Sequence, residues 1–506
     1  MEEHFPDKWQ KTPPNAHSWS FVFPAFSILA LALFTLLIAV NVGAVAGGSD
    51  TSGYVHLARL LVNGNIHVPA RTLPGLPQSN TPPFLYMPLG FKPSFDGNGM
   101  VPTYPTGLPL LIALFVPIAG WSHAADVTMV LHSLAGLILI YALSRVLGLP
   151  KSWSVFGTAL VAASPLYIFM SLQAMSDLPS LVWTTAAILA ALKSRTSLPF
   201  ALAAGGALAV DVLLRPTNIF ALVPIGIALG ASPRRWLLLM LGAAPGAIFY
   251  MCYAITAYGR LWETGYGEIH SFAASYVPET LLHYALWVPI LLTPLSALCL
   301  VLPLDKSTKP RTRWILGTWI GIFAAFYSAY RCTHETWWYL RYLLPAIPAI
   351  VVSSLLICRR IASRLARRME TIHLKGALAV ALILVALNSL WWNRKLHDIE
   401  IGRGERKYGI VAGWMTNNLP SNSICLSTQM SGSIFYFTNF TFVRLDSINP
   451  NNVRVLESAI RTSNRPLYAV LFPFEMTDWN VLRKMMPGNW HQIGNVDDVT
   501  IWGRGV

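Results

Sequence analysis

Apolar runs of about twenty residues recur from Pro24 to Trp392, separated by short polar or proline-bearing segments. A bilayer core takes about twenty consecutive apolar residues per helix, so the pattern predicts about eleven transmembrane helices. They fall near 24–46, 123–147, 153–173, 178–192, 197–213, 217–231, 236–257, 281–302, 314–330, 342–358 and 375–392. The fifth and sixth are short and meet at Arg215-Pro216, which predicts a tight hairpin that need not span fully. Two stretches break the pattern. The first, residues 47–122, is rich in Pro, Gly and Asn. Within it, residues 52–63 and 107–118 read as juxtamembrane helices lying in the interface. The second, residues 393–506, returns to a soluble pattern of short helices and strands, predicting a small α/β domain. The predicted organisation is a tail over 1–23, a transmembrane module over 24–392 and a soluble domain over 393–506.

Composition agrees with this reading. Of 506 residues 54% are hydrophobic and 12% charged, with a mean hydropathy of +0.49, which excludes an ordinary soluble enzyme. The chain is nonetheless basic, with 37 Lys+Arg against 23 Asp+Glu. Position explains the excess. Lys8 and Lys11, Arg145 and Lys151, Lys193 and Arg195, Arg234 and Arg235, Lys306 to Arg313, and Arg359 to Lys375 including Arg367 and Arg368 occupy every second short loop. That bias places the N-terminus in the cytoplasm and the C-terminal domain on the extracytoplasmic side of the inner (plasma) membrane. Nucleic acid is therefore not an expected partner; the bilayer is. The first apolar run follows a polar tail and reads as a retained anchor rather than a cleaved leader. Five cysteines without a CxxC pair indicate neither a zinc site nor a disulfide framework.

Candidate chemistry collects at the outer ends of the apolar runs. Asp50 follows the first span, where a half-buried carboxylate can take a proton or orient a hydroxyl, and where it can equally cap the next helix. Asp177, in Ser176-Asp177-Leu178-Pro179, has the same two readings. Arg215 sits at an outer hairpin tip, where a guanidinium either binds phosphate or pairs with Asp211 one turn earlier. Arg331 and Arg341 are outer cations against the prevailing bias, in a stretch that also carries His334 and Glu335, a weak metal pair. Tyr54, His56, Tyr104, Arg260, Glu263, Tyr266 and Glu268 complete the outer polar set.

The order of short motifs resembles the GT-C superfamily of polyprenyl-phosphate-sugar-dependent glycosyltransferases, in particular bacterial members akin to protein O-mannosyltransferases and lipid A aminoarabinose transferases. The matching residues are Asp50-x-x-x-Tyr54, Tyr104-Pro105-x-Gly107-x-Pro109, Asp177-x-Pro179, Leu214-Arg215-Pro216-Thr217, Thr264-Gly265-Tyr266 and Arg341-Tyr342-Leu343-Leu344-Pro345, with a similar small α/β tail. The resemblance implies a polytopic GT-C fold and a donor in which sugar is carried on a polyprenyl phosphate. It implies Asp50 as base or acceptor-orienting acid, and Asp177 as a second catalytic acid. Arg215, Arg341 and Arg331 would stand near the lipid phosphate, with Tyr54, His56, Tyr104, Glu263, Tyr266, His334 and Glu335 lining the cavity. The acceptor would be a lipid, glycan or protein. No organic cofactor is implied, and a divalent cation is admitted. One departure stands out: O-mannosyltransferases carry an Asp-Glu pair where this chain has Asp50 alone. Two other readings are a transporter or lipid flippase, and a non-catalytic lipid-binding relative. A transporter calls for repeat symmetry and ionisable groups deep in several spans, and only Asp211 and Arg215 meet the second condition.

Overall fold

The computed structural model describes residues 16–505 apart from 78, 80, 98, 262, 267, 268 and 367–370. Lys8, Lys11, Arg367, Arg368 and Glu268 lie outside the described residues. The helices run α1 (Ala16–Asn41), α2 (Ser49–Val62), α3 (Gly107–Val146), α4 (Lys151–Ala162), α5 (Pro165–Ser171), α6 (Asp177–Lys193), α7 (Pro199–Leu214), α8 (Leu222–Leu229), α9 (Pro233–Tyr258), α10 (Val277–Leu291), α11 (Pro310–Ser328), α12 (Ile347–Leu365) and α13 (Thr371–Leu396). Tighter 3₁₀ segments, Pro216–Ala221, Pro294–Leu304 and Trp337–Ala346, adjoin α8, α10 and α12.

Among the described residues three helical stretches, Gly107–Val146, Pro233–Tyr258 and Trp337–Leu365, are long and apolar enough to cross a membrane. Counting each bent pair as one span raises this to five. The bends have local causes. Pro294 starts the second limb of a pair turned by 120°, and Pro165 that of a pair turned by 64°. Residues 107–118, expected as a separate juxtamembrane helix, are instead the first limb of α3. Gly120, at φ 66°, breaks this helix three residues after Pro117. Packing inside the bundle uses small residues. A Cβ on Gly205 would lie 2.0 Å from the Leu239 carbonyl oxygen and one on Gly242 2.1 Å from that of Leu202, so α7 and α9 touch backbone to backbone. Outward faces are apolar: Ile28, Leu29, Leu33 and Leu36 of α1, and Leu382, Ile383, Leu384 and Leu387 of α13, are exposed, as lipid contact requires.

Beyond the bundle, α14 (Ile401–Asn418), α15 (Ser431–Phe437), α16 (Val453–Ser463) and α17 (Met476–Met485) surround a sheet. A small hairpin, β1 (Phe91–Pro93) and β2 (Met100–Pro102), precedes it in the chain. The sheet itself comprises β3 (Ile424–Leu426), β4 (Thr441–Val443), β5 (Leu467–Leu471), β6 (Asn489–Val496) and β7 (Val499–Gly505), in the order β4-β3-β5-β7-β6. β3 runs parallel to β4 and β5; β7 is antiparallel to β5 and β6. The long outer loop shares in this core. Leu73, Leu76, Leu85 and Tyr86 pack with Ile424, Leu456, Leu471 and Trp479, while Met87, Phe91 and Met100 pack with Val411, Met415 and Phe442. Loop and tail thus form one body at one end of the bundle.

Candidate active site

α1 ends at Asn41, and a tight turn through Gly47 and Gly48 starts α2. Asp50 is the second residue of α2, but it does not cap it: the N-cap position is Gly48, and no side chain of the helix takes that role. The Asp50 carboxylate points to two partners. Tyr104, just before α3, donates its hydroxyl to Oδ1 at 2.7 Å, and Arg341 Nη1 lies 3.2 Å from Oδ2. Ser49 Oγ is 2.8 Å from the same tyrosine oxygen.

Asp177 opens α6, also without capping it, and its side chain is fully buried. Arg215 stands in extended conformation between α7 and the Pro216–Ala221 segment, as the residue before a proline must. This aims its side chain across to α6. Nη2 donates to Asp177 Oδ1 at 2.6 Å and Nε to Ser176 Oγ at 3.1 Å. The alternative pairing with Asp211 does not form. Asp211 accepts instead from Thr184 and from Asn218, each at 2.6 Å. Arg341 completes the set, with Nε 4.0 Å from Asp177 Oδ1. Asp50, Arg341, Asp177 and Arg215 therefore alternate in sign and sum to zero formal charge.

An aromatic frame holds the guanidinium groups. The Tyr342 ring centroid is 5.4 Å from the Arg215 Cζ and 5.2 Å from that of Arg341, and Tyr342 stacks on both Tyr339 and Tyr327. Tyr54, one turn after Asp50, donates to Ser176 Oγ at 2.9 Å, and Tyr104 packs against both Tyr54 and Tyr266. Burial pushes the Tyr54 phenol up to about 12 and, together with the Asp50 carboxylate, holds Tyr104 well above the usual range. Both phenols thus serve as donors. Three buried atoms of the cluster have no hydrogen-bond partner: Asp177 Oδ2, Arg215 Nη1 and Arg341 Nε. Two of them are cationic donors, so the site has unused capacity for an anionic oxygen.

The remaining expected residues lie apart from this cluster. Arg331 faces solvent 4.0 Å from Glu335, and Glu263 is 3.9 Å from Arg260. His334 Nε2 is 3.1 Å from Glu279 Oε2, not beside Glu335. His56 is on the far side of α2, enclosed by Phe91, Phe435 and Tyr436. Burial, with Arg59 and Arg71 adding to it, lowers its pKa to about 3, so it stays neutral. A divalent cation does not fit these residues. Asp50 and Asp177 are each engaged by a guanidinium, and the described residues hold no group of three or more His, Cys, Asp or Glu that could bind a metal. Ser176, Tyr342 and Ser49 join the site without having been singled out; their nearness to Asp177, Arg341 and Asp50 in the chain was the available clue.

No protein-family model and no curated protein sequence matches the chain. Solved structures do. ArnT from Cupriavidus metallidurans bound to undecaprenyl phosphate superposes with a TM-score of 0.58 at 12% identity, over 95% of this chain and 98% of that one. Its apo form gives 0.57 at 13% identity, over 96% and 98%. The oligosaccharyltransferase of Archaeoglobus fulgidus gives 0.52 at 13% identity, over 90% of this chain and 70% of that one. At such identities the likeness is one of architecture, but it runs through both the helical bundle and the small sheet domain: the chain has the GT-C fold.

Proposed function

We propose that this protein is an integral membrane glycosyltransferase that moves a sugar from a polyprenyl-phosphate donor to an acceptor on the extracytoplasmic face. The observation that carries the reading is the buried Asp50–Arg341–Asp177–Arg215 cluster, in which two guanidinium nitrogens have no hydrogen-bond partner. The fold supports it, as do the undecaprenyl phosphate bound to ArnT and the dolichol-phosphate bound to the archaeal oligosaccharyltransferase AglB. The N-terminus would be cytoplasmic and the C-terminal domain outside, as the basic loops imply.

The four groups take distinct roles in this reaction. Asp50 is the accessible acid, its side chain about a third exposed (32%), whereas that of Asp177 is wholly buried (0%). Asp50 accepts the acceptor hydroxyl's proton as the oxygen attacks the anomeric carbon; the bond from that carbon to the phosphate oxygen breaks, and its electron pair leaves on the lipid phosphate. Arg215 Nη1 and Arg341 Nε take up the growing phosphate charge in a site walled by tyrosine rings. A single displacement inverts the anomeric centre. Asp177 keeps both guanidinium groups in place and does not touch the reacting atoms.

The test is transfer by the purified, reconstituted protein from a polyprenyl-phosphate sugar to lipid, glycan and peptide acceptors. Release of polyprenyl phosphate coupled to acceptor glycosylation is expected, and Asp50→Asn should lower kcat by about 10²–10⁴. Transfer undiminished in Asp50→Asn would remove the base assignment. Substrate flux in proteoliposomes without any transfer would favour a transporter.

A further inference from the structure

The helix carrying Asp50 begins at a glycine and has no cap of its own, although a helix N-terminus leaves backbone amides in need of acceptors. The acceptor comes from more than 350 residues away in the chain. Glu405, on α14 of the C-terminal domain, accepts the Thr51 hydroxyl at 3.0 Å on Oε2, and its carboxylate faces the Gly48 amide. Thr51 Oγ1 in turn accepts the Gly47 amide at 3.1 Å. The fit leaves no slack, because a Cβ on Gly47 would stand 2.3 Å from Glu405 Oε2. Neighbouring contacts grip the same turn. Arg406 donates to the Val40 and Val42 carbonyls, Ser433 Oγ to those of Ala46 and Gly47, and a Cβ on Gly402 would meet the Asn41 carbonyl oxygen at 1.8 Å.

We infer that Glu405 is a positioning residue, supplied by the C-terminal domain, that caps α2 across the domain boundary and sets where the Asp50 carboxylate stands. The inference rests on the reading of Asp50 given above. Glu405 touches no reacting atom and acts through Thr51 and the first turn of α2. The groups facing its carboxyl are Asp50, Thr51 and Tyr408, so it has no cationic partner among them. Burial, and after it the Asp50 charge, pushes its pKa up to about 7.

The experiment uses the full chain in nanodiscs with a polyprenyl-phosphate sugar, comparing Glu405→Ala, Glu405→Gln and Thr51→Val. Glu405→Ala should lower kcat at least about tenfold while KM for the donor stays within about twofold, since the base is displaced and the phosphate contacts are kept. Glu405→Gln retains an acceptor oxygen and should restore kcat to within about threefold of wild type. Thr51→Val, which breaks the link from the other side, should behave like Glu405→Ala. Amide exchange over residues 49–55 should speed up in Glu405→Ala and Thr51→Val and stay slow in Glu405→Gln. Wild-type exchange and kcat in Glu405→Ala would overturn the inference. So would equal losses of kcat in Glu405→Ala and Glu405→Gln with exchange unchanged. If the wild type transfers no sugar yet exchange follows the expected order, the cap stands and the transferase reading falls.

Discussion

Two sets of charged side chains in this protein differ chiefly in what surrounds them. Asp50, Asp177, Arg215 and Arg341 come from four separate parts of the chain and are largely withdrawn from water. Arg331 with Glu335, and Arg260 with Glu263, are three or four residues apart in one segment and open to solvent. In water such local pairs are screened and hold little in place. In the enclosed set each charge needs its partner, and removing one leaves another buried and uncompensated. Composition treats both sets alike. Only the first brings together groups from distant parts of the chain in a buried cluster.

The largest test of this contrast is Asp177→Ala, which strands Arg215 and much of Arg341. It should cost about 3–5 kcal/mol of stability, read by denaturant unfolding of the reconstituted protein, with activity lost as well. If it unfolds like wild type, the enclosed set is not a unit. Asp50→Asn should separate function from stability: kcat falls by the factor given above while thermal unfolding moves less than in Asp177→Ala, because Asp50 is the exposed member of the set, Arg341 keeps Asp177, and asparagine can still accept from Tyr104. Next comes pH. Glu405 titrates near 7 in the folded protein against 4.5 for the ordinary side chain, so the folded state holds the proton more tightly. The stability this confers is fully present below about pH 4.5 and is lost as pH rises through 7. Wild type should therefore lose thermal stability relative to Glu405→Gln over that window, and parallel profiles would contradict the raised value. The smallest effect is expected from Arg331→Gln and Glu335→Gln: transfer within about twofold of wild type and an unchanged melting temperature. A large loss there would bring the exposed stretch into the site.

Local pattern made much of this legible. The apolar runs, the amphipathic stretch that became α2, and most elements of the tail follow from periodicity that each segment carries within itself. β6 carries no such pattern, because Asn489–Val496 is an edge strand with no buried residue and so no buried face to mark it. The merging of residues 107–118 into α3 was hidden by Pro117 and Gly120, which look like a helix end and here make a kink. Thr81-Pro82-Pro83-Phe84, with no helical or strand period of its own, delivers Leu85 and Tyr86 into the core of the C-terminal body, with Phe84 beneath Arg444.

By itself, then, the sequence determined the medium and the clustering of ionisable residues at the ends of apolar runs, because hydropathy and local spacing are properties of short stretches. The partners were decided by tertiary structure alone. That Asp50 meets Arg341 across 291 positions, that Arg215 turns to Asp177 instead of the closer Asp211, and that Glu405 reaches back to Thr51 all depend on which helix ends the packing brings together. Charge pairing in a dry site is a matter of ångströms in space, and separation along the chain says nothing about it.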